Sequence, residues 1–266
     1  MKTKQKIFIA KIFSKILIFF LGKFKVQVVR NNINWQLDLR EAIDLTIFIF
    51  NNFEKSILET SKKLINNKKM DIIDIGSNMG VHTLNLSKTF EKSRIYSIEA
   101  TDFAYKKLIK NLSLNHNLTN IYTYQIFLTN KIKKQQKVYS SWNLENHKKM
   151  KHTKHMGILK STSNAKSMSF DNFIKKMKIK RKTLIKFDVD GNELFVFKSA
   201  KKYLNNYKPY IIMELAPYLY KENGYSSKEL LDYILSFNYK FYNLEKDKEI
   251  KNIYQFSQKI NDGTSV

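Results

Sequence analysis

Two glycines mark the first stretch of the chain that could do chemistry. Gly76 and Gly80 stand on either side of Ser77 and Asn78, and they follow an apolar run that contains Asp74. This order predicts a β-strand, a tight turn and a helix, which is the first half of a nucleotide-binding βαβ unit. Gly76 can adopt a backbone conformation that is closed to other residues, and the helix presents its N-terminal N–H groups to a ligand.

The glycine spacing discriminates between nucleotide ligands. A dinucleotide-binding loop requires G-x-G-x-x-G and a phosphate-binding loop requires Gly-Lys-Ser/Thr, whereas Asp74 to Gly80 reads D-x-G-x-x-x-G. Glu99 ends the next predicted strand, about 20 residues after the turn, where a carboxylate can bind the ribose hydroxyls. This combination favours a nucleoside without phosphates, of which S-adenosylmethionine is the common one. An ordinary βα turn is the alternative.

A second group of charged residues surrounds Gly191. Lys186, Asp188 and Asp190 face the same side of a predicted strand, and Glu193 falls in the first turn of the next helix. Ligands of open parallel sheets bind beyond the carboxyl ends of the strands, so these carboxylates are candidates for a general base, a cation ligand or a stabiliser of the sulfonium charge. Alternatively, Glu193 interacts with the helix dipole and Lys186 compensates the charge of the acids.

Strand and helix patterns alternate along most of the chain. We predict strands at 71–75, 94–99, 121–128, 184–189 and 210–215, and helices at 80–90, 102–116, 169–178, 192–204 and 226–237. Weaker strand patterns lie at 239–243 and 252–256. Residues 24–40 predict a hairpin with an Asn31–Asn32 turn, and residues 41–67 predict helices with a break near Asn51. The alternation predicts an α/β fold with a doubly wound, mostly parallel sheet.

The chain divides into three predicted parts. Residues 1–24 form a basic amphipathic helix, 25–70 a hairpin and helical segment, and 71–266 the catalytic domain, with a polar insertion at 129–168. An insertion of this length without a clear pattern is usually a functional lid or disordered. His147, His152 and His155 lie in it without an acid or cysteine at ligand spacing, so we expect solvated histidines and no metal site.

The first 24 residues predict contact with a membrane surface. The longest uncharged run, Ile16 to Gly22, is far shorter than the ~20 residues that span a bilayer. One helical face carries Lys4, Lys11 and Lys15 beside Ser14, and a broad apolar face carries Ile9, Ile12, Phe13, Ile16, Phe19 and Phe20. This pattern fits a helix that lies in the plane of an anionic membrane. The alternative is a helix whose apolar face packs on the domain.

Composition limits the partners. The net charge is +25, but only four of the 48 basic residues are arginines, which are the preferred residues for phosphate and base contacts. We therefore interpret the lysines as a solvated surface and do not expect nucleic-acid binding. The chain has no cysteine, which excludes a disulfide scaffold and thiolate metal sites and fits a cytoplasmic protein with peripheral contact at the inner membrane surface.

Four segments together resemble the FkbM family of S-adenosylmethionine-dependent methyltransferases: DIGSNMGVHT, SIEA, IKFDVDGNE and IIMEL. The resemblance runs from about Asp71 to Glu214. It implies a Rossmann-like class I methyltransferase fold, S-adenosylmethionine as the cofactor, and O-methylation of a hydroxyl on a sugar or glycan. The cofactor-binding residues that we predict are Asp74, Gly76, Ser77, Asn78, Gly80, Glu99 and Asp188. The insertion matches no motif of the family.

A hydroxyl acceptor requires a residue that takes its proton, a contribution of about 10²–10⁴-fold. Lys186 should hold Asp188 ionised, which suits Asp188 to charge stabilisation or cation binding. Asp190 and Glu193 lie close together, and like charges raise one pKa towards the range of a useful base. We predict that this pair supplies the base, with His82 second because histidine titrates near neutral pH. The alternative for His82 is packing at its helix N-terminus.

Other functions stay open. Asp188-Val189-Asp190 is a D-x-D sequence, with which a glycosyltransferase binds a nucleotide sugar through a divalent cation. Such an enzyme would not need both the glycine turn and Glu99, so their joint presence counts against it. A DNA adenine methyltransferase would carry a Pro-Pro motif, and the only prolines, Pro209 and Pro217, are not adjacent. A non-enzymatic protein that binds membranes or RNA is the third possibility.

Overall fold

The structure is a computed structural model that describes residues 3–66, 68–130, 137–140, 142–145, 152, 154 and 157–266. The helices are α1 (Thr3–Leu21), α2 (Ala42–Phe50), α3 (Lys55–Ile65), α4 (Val81–Thr89), α5 (Asp102–Leu112), α6 (Phe170–Lys176), α7 (Glu193–Ser199), α8 (Lys201–Tyr207), α9 (Pro217–Glu222), α10 (Ser227–Leu235) and α11 (Ile253–Gln258). The strands are β1 (Lys25–Arg30), β2 (Ile33–Asp38), β3 (Asp71–Ile75), β4 (Ile95–Ile98), β5 (Ile121–Tyr124), β6 (Ile126–Leu128), β7 (Lys137–Ser140), β8 (Ile158–Ser161), β9 (Lys166–Met168), β10 (Thr183–Phe187), β11 (Tyr210–Met213), β12 (Tyr242–Asn243) and β13 (Lys248–Glu249).

The central sheet has five parallel strands in the order β11-β10-β3-β4-β5. The chain runs from β3 through β4 to β5 and then returns to the other side of β3 as β10, so the strand order reverses between β3 and β10. Open α/β sheets bind ligands at such a reversal, beyond the carboxyl ends of the strands. The sheet therefore places the two sequence motifs side by side at the position where a ligand is expected.

Apolar cores cover both faces of the sheet. Ile73 and Ile75 of β3 belong to a core with α6, α7 and α10, whereas Ile72 belongs to a second core with α3 and α4. Alternate side chains of a strand point to opposite faces, so a strand buried on both sides is apolar at nearly every position. The predicted doubly wound α/β fold is confirmed.

Several predicted boundaries were wrong. The strand expected at 121–128 breaks at Gln125, and β6 pairs with β9 instead of joining the central sheet. The helix expected at 192–204 divides at Ala200. Strand β10 ends at Phe187, so Asp188 and Asp190 lie in a loop rather than on one strand face. The strand expected at 252–256 is instead the start of helix α11, with Asn252 as the N-cap residue whose side chain accepts from the Gln255 N–H.

The N-terminal part begins with helix α1 and a β-hairpin, and one side of α1 packs on the domain. The hairpin is confirmed, with Asn31 and Asn32 at φ angles of 53° and 54° in the turn. Helix α1 packs on the domain through a face that includes buried Ile7 and Ser14, whose hydroxyl donates to the Leu39 carbonyl at 2.7 Å. None of the helices in the described part of the chain has the length and hydropathy that a membrane crossing requires.

The insertion at 129–168 contains more regular structure than its sequence indicates. Strand β7 pairs with β8 in an antiparallel arrangement, and β9 pairs with β6. The insertion also reaches the N-terminal part, because the Ala42 N–H donates to the Trp142 carbonyl at 2.9 Å. His147 and His155 lie outside the described residues. The expectation of a solvated histidine was wrong for His152, which is buried and lies 2.6 Å from Glu222.

Candidate functional site

A cleft of about 560 Å³ lies at the carboxyl ends of the central strands. This volume is within the roughly 300–1,000 Å³ of small-molecule sites. Its wall includes Gly76, Asn78 and Glu99 from the first motif and Asp188 and Asp190 from the second. The fold therefore brings together two acidic segments that are about ninety residues apart in the sequence.

Position 76 requires a glycine, because the backbone of the second motif passes too close to it for a side chain. Its φ angle is +73°, and a Cβ atom at this position would lie 1.6 Å from the backbone oxygen of Asp188. The loop after β10 thus crosses directly over the turn after β3. The Gly76 and Ser77 N–H groups donate to the Ile98 carbonyl at 2.9 and 3.1 Å, which ties the turn to β4 as well. A side chain at Gly76 would have to displace the loop that carries Asp188.

Glu99 is fixed against the same turn. One of its oxygens accepts from the Asn78 N–H at 2.9 Å, and the other accepts from the N–H and hydroxyl of Thr101 at 2.7 and 2.6 Å. Burial raises the pKa of Glu99, and the hydrogen bonds from Thr101 and Asn78 oppose this increase. A carboxylate has about four acceptor positions, so Glu99 retains capacity for a diol after these three bonds. Its place in the cleft fits the predicted ribose contact.

Asp74 lies behind the turn. The carboxylate is fully buried and accepts from the Thr83 hydroxyl at 2.6 Å, while its second oxygen lies 3.7 Å from Lys186 Nζ. Among the described residues, neither that second oxygen nor the buried hydroxyl of Ser77 has a hydrogen-bond partner. Buried polar groups are normally paired, so an unpaired oxygen in the turn is consistent with a polar ligand beside it. Asp74 itself is positioned to hold the turn and α4 together.

Lys186 links the two motifs electrostatically. Its ammonium donates to the Gly76 carbonyl at 3.0 Å and lies 3.3 Å from Asp188 Oδ2. Burial alone would lower the pKa of Lys186, but the carboxylates of Asp188 and Asp74 outweigh it and hold the pKa above its ordinary value. Conversely, burial would raise the pKa of Asp188, but the Lys186 charge and the hydrogen bonds from Glu214 and Lys186 together outweigh burial and lower that pKa. Asp188 therefore stays ionised, as the sequence predicted.

Asp190 and Glu214 form the acidic part of the wall around Asp188. The pKa of Asp190 lies well above its ordinary value because of burial and the nearby charges of Asp188, Glu193 and Glu99. The pKa of Glu214 is also raised, by burial and by Asp188, to which it is hydrogen-bonded. One proton shared between Glu214 and Asp188 accounts for this bond. Glu214 was recognisable in the sequence as an acid at a strand end, but the predicted site did not include it.

Glu193 and Asp190 are separated by the Gly191 turn. The Glu193 carboxyl is buried and accepts from the Gly191 N–H and the Tyr225 hydroxyl, both at 3.3 Å. Burial raises the pKa of Glu193 to about 7. Asp190 borders the cleft, whereas Glu193 lies behind the loop. The two members of the predicted base pair therefore have different access to a substrate.

His82 contacts an acid instead of the cleft. Its Nε2 lies 3.1 Å from a carboxylate oxygen of Glu54, and the ring is 6.2 Å from that of Phe53. Glu54 and Phe53 border the cleft, while His82 stands behind them. Neither Glu54 nor Phe53 belongs to a motif, so pattern reasoning had no signal for them.

Gly80, the last glycine of the turn, has φ +94° and packs beside Leu108.

Aromatic and polar groups outside both motifs complete the cleft wall. Trp142 and Val138 come from the insertion, Lys6 from α1, and Ser265 from the C-terminal segment. In the described ranges, no three His, Asp, Glu or Cys side chains converge in an arrangement that could hold a metal ion. The insertion contributes to the site through specific side chains, which its low sequence complexity did not indicate.

The part of the sequence that forms most of this cleft matches the model of a known protein family. The family model named Methyltransferase FkbM domain matches residues 74–241, which contain the turn, Glu99 and the loop after β10. The chain belongs to the FkbM methyltransferase family. The family is one of S-adenosylmethionine-dependent methyltransferases, and the matched residues have the Rossmann-like fold expected for such a domain.

Three solved structures align with parts of this FkbM methyltransferase. The putative transferase PH0793 from Pyrococcus horikoshii is 20% identical over 38% of this chain and 36% of its own, with a TM-score of 0.27. TYW2 from M. jannaschii, in complex with AdoMet, is 19% identical over 38% and 42%, with a TM-score of 0.28. A putative caffeoyl-CoA O-methyltransferase from Staphylococcus aureus is 12% identical over 74% and 79%, with a TM-score of 0.38. The alignments cover less than half the length of the first two proteins. A search of curated protein sequences finds no significant match.

Proposed function

We propose that the protein transfers the methyl group of S-adenosylmethionine to a hydroxyl of a sugar or glycan. The observation that carries the proposal is the position of Asp190, whose carboxyl borders the cleft beside the cofactor turn and has a raised pKa. In this step the hydroxyl oxygen forms a bond to the methyl carbon, the carbon–sulfur bond breaks, and S-adenosylhomocysteine leaves. The hydroxyl proton goes to the Asp190 carboxylate.

Gly76, Asn78 and Glu99 would hold the cofactor. Gly76, Asn78 and Glu99 border the cleft, and Glu99 offers a carboxylate to the ribose, whereas Ser77 is buried and does not border the cleft. The cofactor supplies an electrophilic methyl group on a positively charged sulfur. Methyl transfer is an in-line displacement, so the protein contributes mainly alignment and a fixed electric field.

Asp188 suits the sulfonium charge better than it suits proton transfer. Its pKa is lowered by Lys186, so it remains negative, whereas a base must pick up a proton during the reaction. Asp190, with its raised pKa, is the better base. We assign Glu193 to positioning the loop at Gly191, because its carboxyl accepts a hydrogen bond from the Gly191 N–H and lies behind that loop. The D-x-D alternative would require Asp188 to bind a cation, although it already lies 3.3 Å from the Lys186 ammonium.

The rest of the wall supports a sugar as acceptor. Phe53 and Trp142 contribute aromatic residues to the cleft wall, while Lys6, Glu54 and Asn192 contribute polar residues. A sugar presents both apolar C–H surfaces and hydroxyls, so a wall of this mixed kind matches it. The proposed base Asp190 and the aromatic residues Phe53 and Trp142 border the same cleft, so one substrate can contact both.

The test is methyl transfer from S-adenosylmethionine that carries a tritiated methyl group. Acceptors are monosaccharides, oligosaccharides and glycolipids, with an amine and a thiol of similar size as controls. We expect label in an alkali-stable ether on a sugar, and none in Asp190→Asn under the same conditions. Label in the amine or thiol only, or release of nucleoside diphosphate from a nucleotide sugar, would reject the proposal.

A further inference from the structure

The outer face of helix α1 is apolar and uncovered. Its most exposed large side chains are Phe19 at 82%, Phe20 at 78% and Phe8 at 64% of their maximum. Ile9, Ile12, Phe13 and Ile16 are each more than 40% exposed on the same side, opposite the packed face that contains Ser14. We call this set of seven side chains the α1 outer face. Soluble proteins rarely expose so many large apolar side chains together, so the face requires an occupant.

The packing of α1 removes the alternative in which the apolar face covers the domain. Ile7 and Ser14 are buried, and Ala10, Leu17 and Ile18 contact the core around the hairpin. The helix is thus attached to the protein by a narrow stripe. Burying the α1 outer face on the same domain would require the helix to rotate and to lose the Ser14–Leu39 hydrogen bond of 2.7 Å.

The charge around this face identifies the occupant. Residues 1–37 carry seven lysines, one arginine and no Asp or Glu. Lys6, Lys15, Lys23 and Lys25 are exposed in or next to α1. Two copies of this segment would bring sixteen positive charges together without a compensating acid, which disfavours a symmetric dimer through this face. An anionic lipid surface satisfies both properties, because it accepts the phenylalanines below its headgroups and the lysines at them.

We propose that the α1 outer face inserts into the headgroup region of an anionic membrane. Helix α1 then lies in the plane of the bilayer, about 28 Å long at 1.5 Å per residue, with its packed stripe towards the protein. Lysine side chains at the edge of the face extend to the lipid phosphates while their methylene groups stay in the apolar layer. Because Lys6 of α1 also borders the cleft, docking brings the cleft wall to the membrane surface.

The experiment is co-sedimentation of the full chain with two kinds of vesicle. One contains phosphatidylcholine alone, and the other contains phosphatidylglycerol and phosphatidylcholine at a ratio of about two to three, which makes its surface strongly negative. We expect binding at least about tenfold tighter to the anionic vesicles, and a partial loss in about 1 M salt, since screening acts on the charges and not on the inserted rings. Equal binding to both vesicle types, or loss of all binding in salt, contradicts insertion into an anionic surface.

Two sets of variants locate the surface. Phe8→Ser, Phe19→Ser and Phe20→Ser combined should weaken vesicle binding by at least about tenfold. The matched control replaces Ile109 and Tyr242, which are exposed on other elements, with serine and should leave binding unchanged. Thermal unfolding and S-adenosylhomocysteine affinity should match wild type in both sets, because these side chains are exposed and away from the cofactor turn. Unchanged vesicle binding in the triple variant overturns the proposal, and so does a wild-type dimer that the triple variant converts to a monomer.

Discussion

Lys186 Nζ lies 3.0 Å from the carbonyl oxygen of Gly76 and so joins the glycine turn after β3 to β10, the strand that leads into the acidic loop. The same ammonium lies between two carboxylates, Asp188 at 3.3 Å and Asp74 at 3.7 Å. A buried cation with two acids is stable only as a set, since loss of one partner leaves an uncompensated charge. Lys186 therefore couples the conformation of the glycine turn to the charge of the cleft wall.

Lys186→Met should destabilise the protein by about 3–5 kcal/mol, because it leaves buried Asp74 without its cation. Urea unfolding measures this change. Lys201→Met, at an exposed lysine, is the control and should change the free energy of unfolding by less than about 0.5 kcal/mol. Equal effects of the two substitutions would show that the Lys186 contacts do not stabilise the fold.

Gly76→Ala should reduce the affinity for S-adenosylhomocysteine by at least about tenfold, because the new Cβ collides with the Asp188 backbone and displaces the loop. Gly224→Ala is a matched control, since Gly224 has φ +80° but open space where its Cβ would be. It carries the same backbone strain without the collision. Isothermal titration of both variants separates the two effects, and equal losses would mean that strain alone is responsible.

Glu99→Ala should weaken S-adenosylhomocysteine binding by about 10- to 100-fold, the value of one or two hydrogen bonds to a charged group. Glu99→Gln should lose less, since the amide oxygen can still accept from the Asn78 N–H. Glu91→Ala removes an exposed acid and serves as the control. If Glu99→Ala binds as tightly as wild type, Glu99 does not contact the ribose.

Asp190→Asn should lower turnover by at least about 100-fold with little change in S-adenosylhomocysteine affinity, as expected for loss of a base. Glu193→Gln and His82→Ala should retain more activity, because both side chains lie behind the cleft wall. A base works only when deprotonated, so kcat/KM of wild type should rise with pH through the raised pKa of Asp190. A profile that is flat above pH 4, or full activity in Asp190→Asn, would assign proton transfer to another group.

Glu193 should make the stability of the protein fall as the pH rises from 4.5 to about 7. Its pKa is raised in the folded state, so the unfolded chain releases this proton first and binds fewer protons in that window, which lowers the free energy of unfolding. Glu193→Gln removes this dependence, and its stability relative to wild type should increase by about 2–3 kcal/mol between pH 5 and pH 8. Urea unfolding at the two pH values measures the change. The exposed Glu245→Gln should show no such increase, and an identical pH dependence in wild type and Glu193→Gln would contradict the buried environment.

The sequence by itself determined the fold class and the conformation of the glycine turn after β3. Both depend on local pattern: an apolar run of strand length, glycines where positive φ angles are needed, and an acid at the next strand end. Gly76 at φ +73° and Glu99 against Asn78 are the predicted features in their predicted places. Local patterns of this kind can be read from the sequence, because they depend on backbone conformations that neighbouring residues determine.

Only the tertiary structure decided which acids face the cleft. Asp190 and Glu193 are three positions apart, yet the turn at Gly191 puts one on the wall and the other against Tyr225. The sequence likewise could not show which side of α1 packs on the domain, since both sides carry apolar residues. Packing selected the side with Ser14, because its hydroxyl satisfies the Leu39 carbonyl, and left Phe19 and Phe20 exposed. Contacts between residues far apart in the chain settle such choices, and spacing along the chain does not encode them.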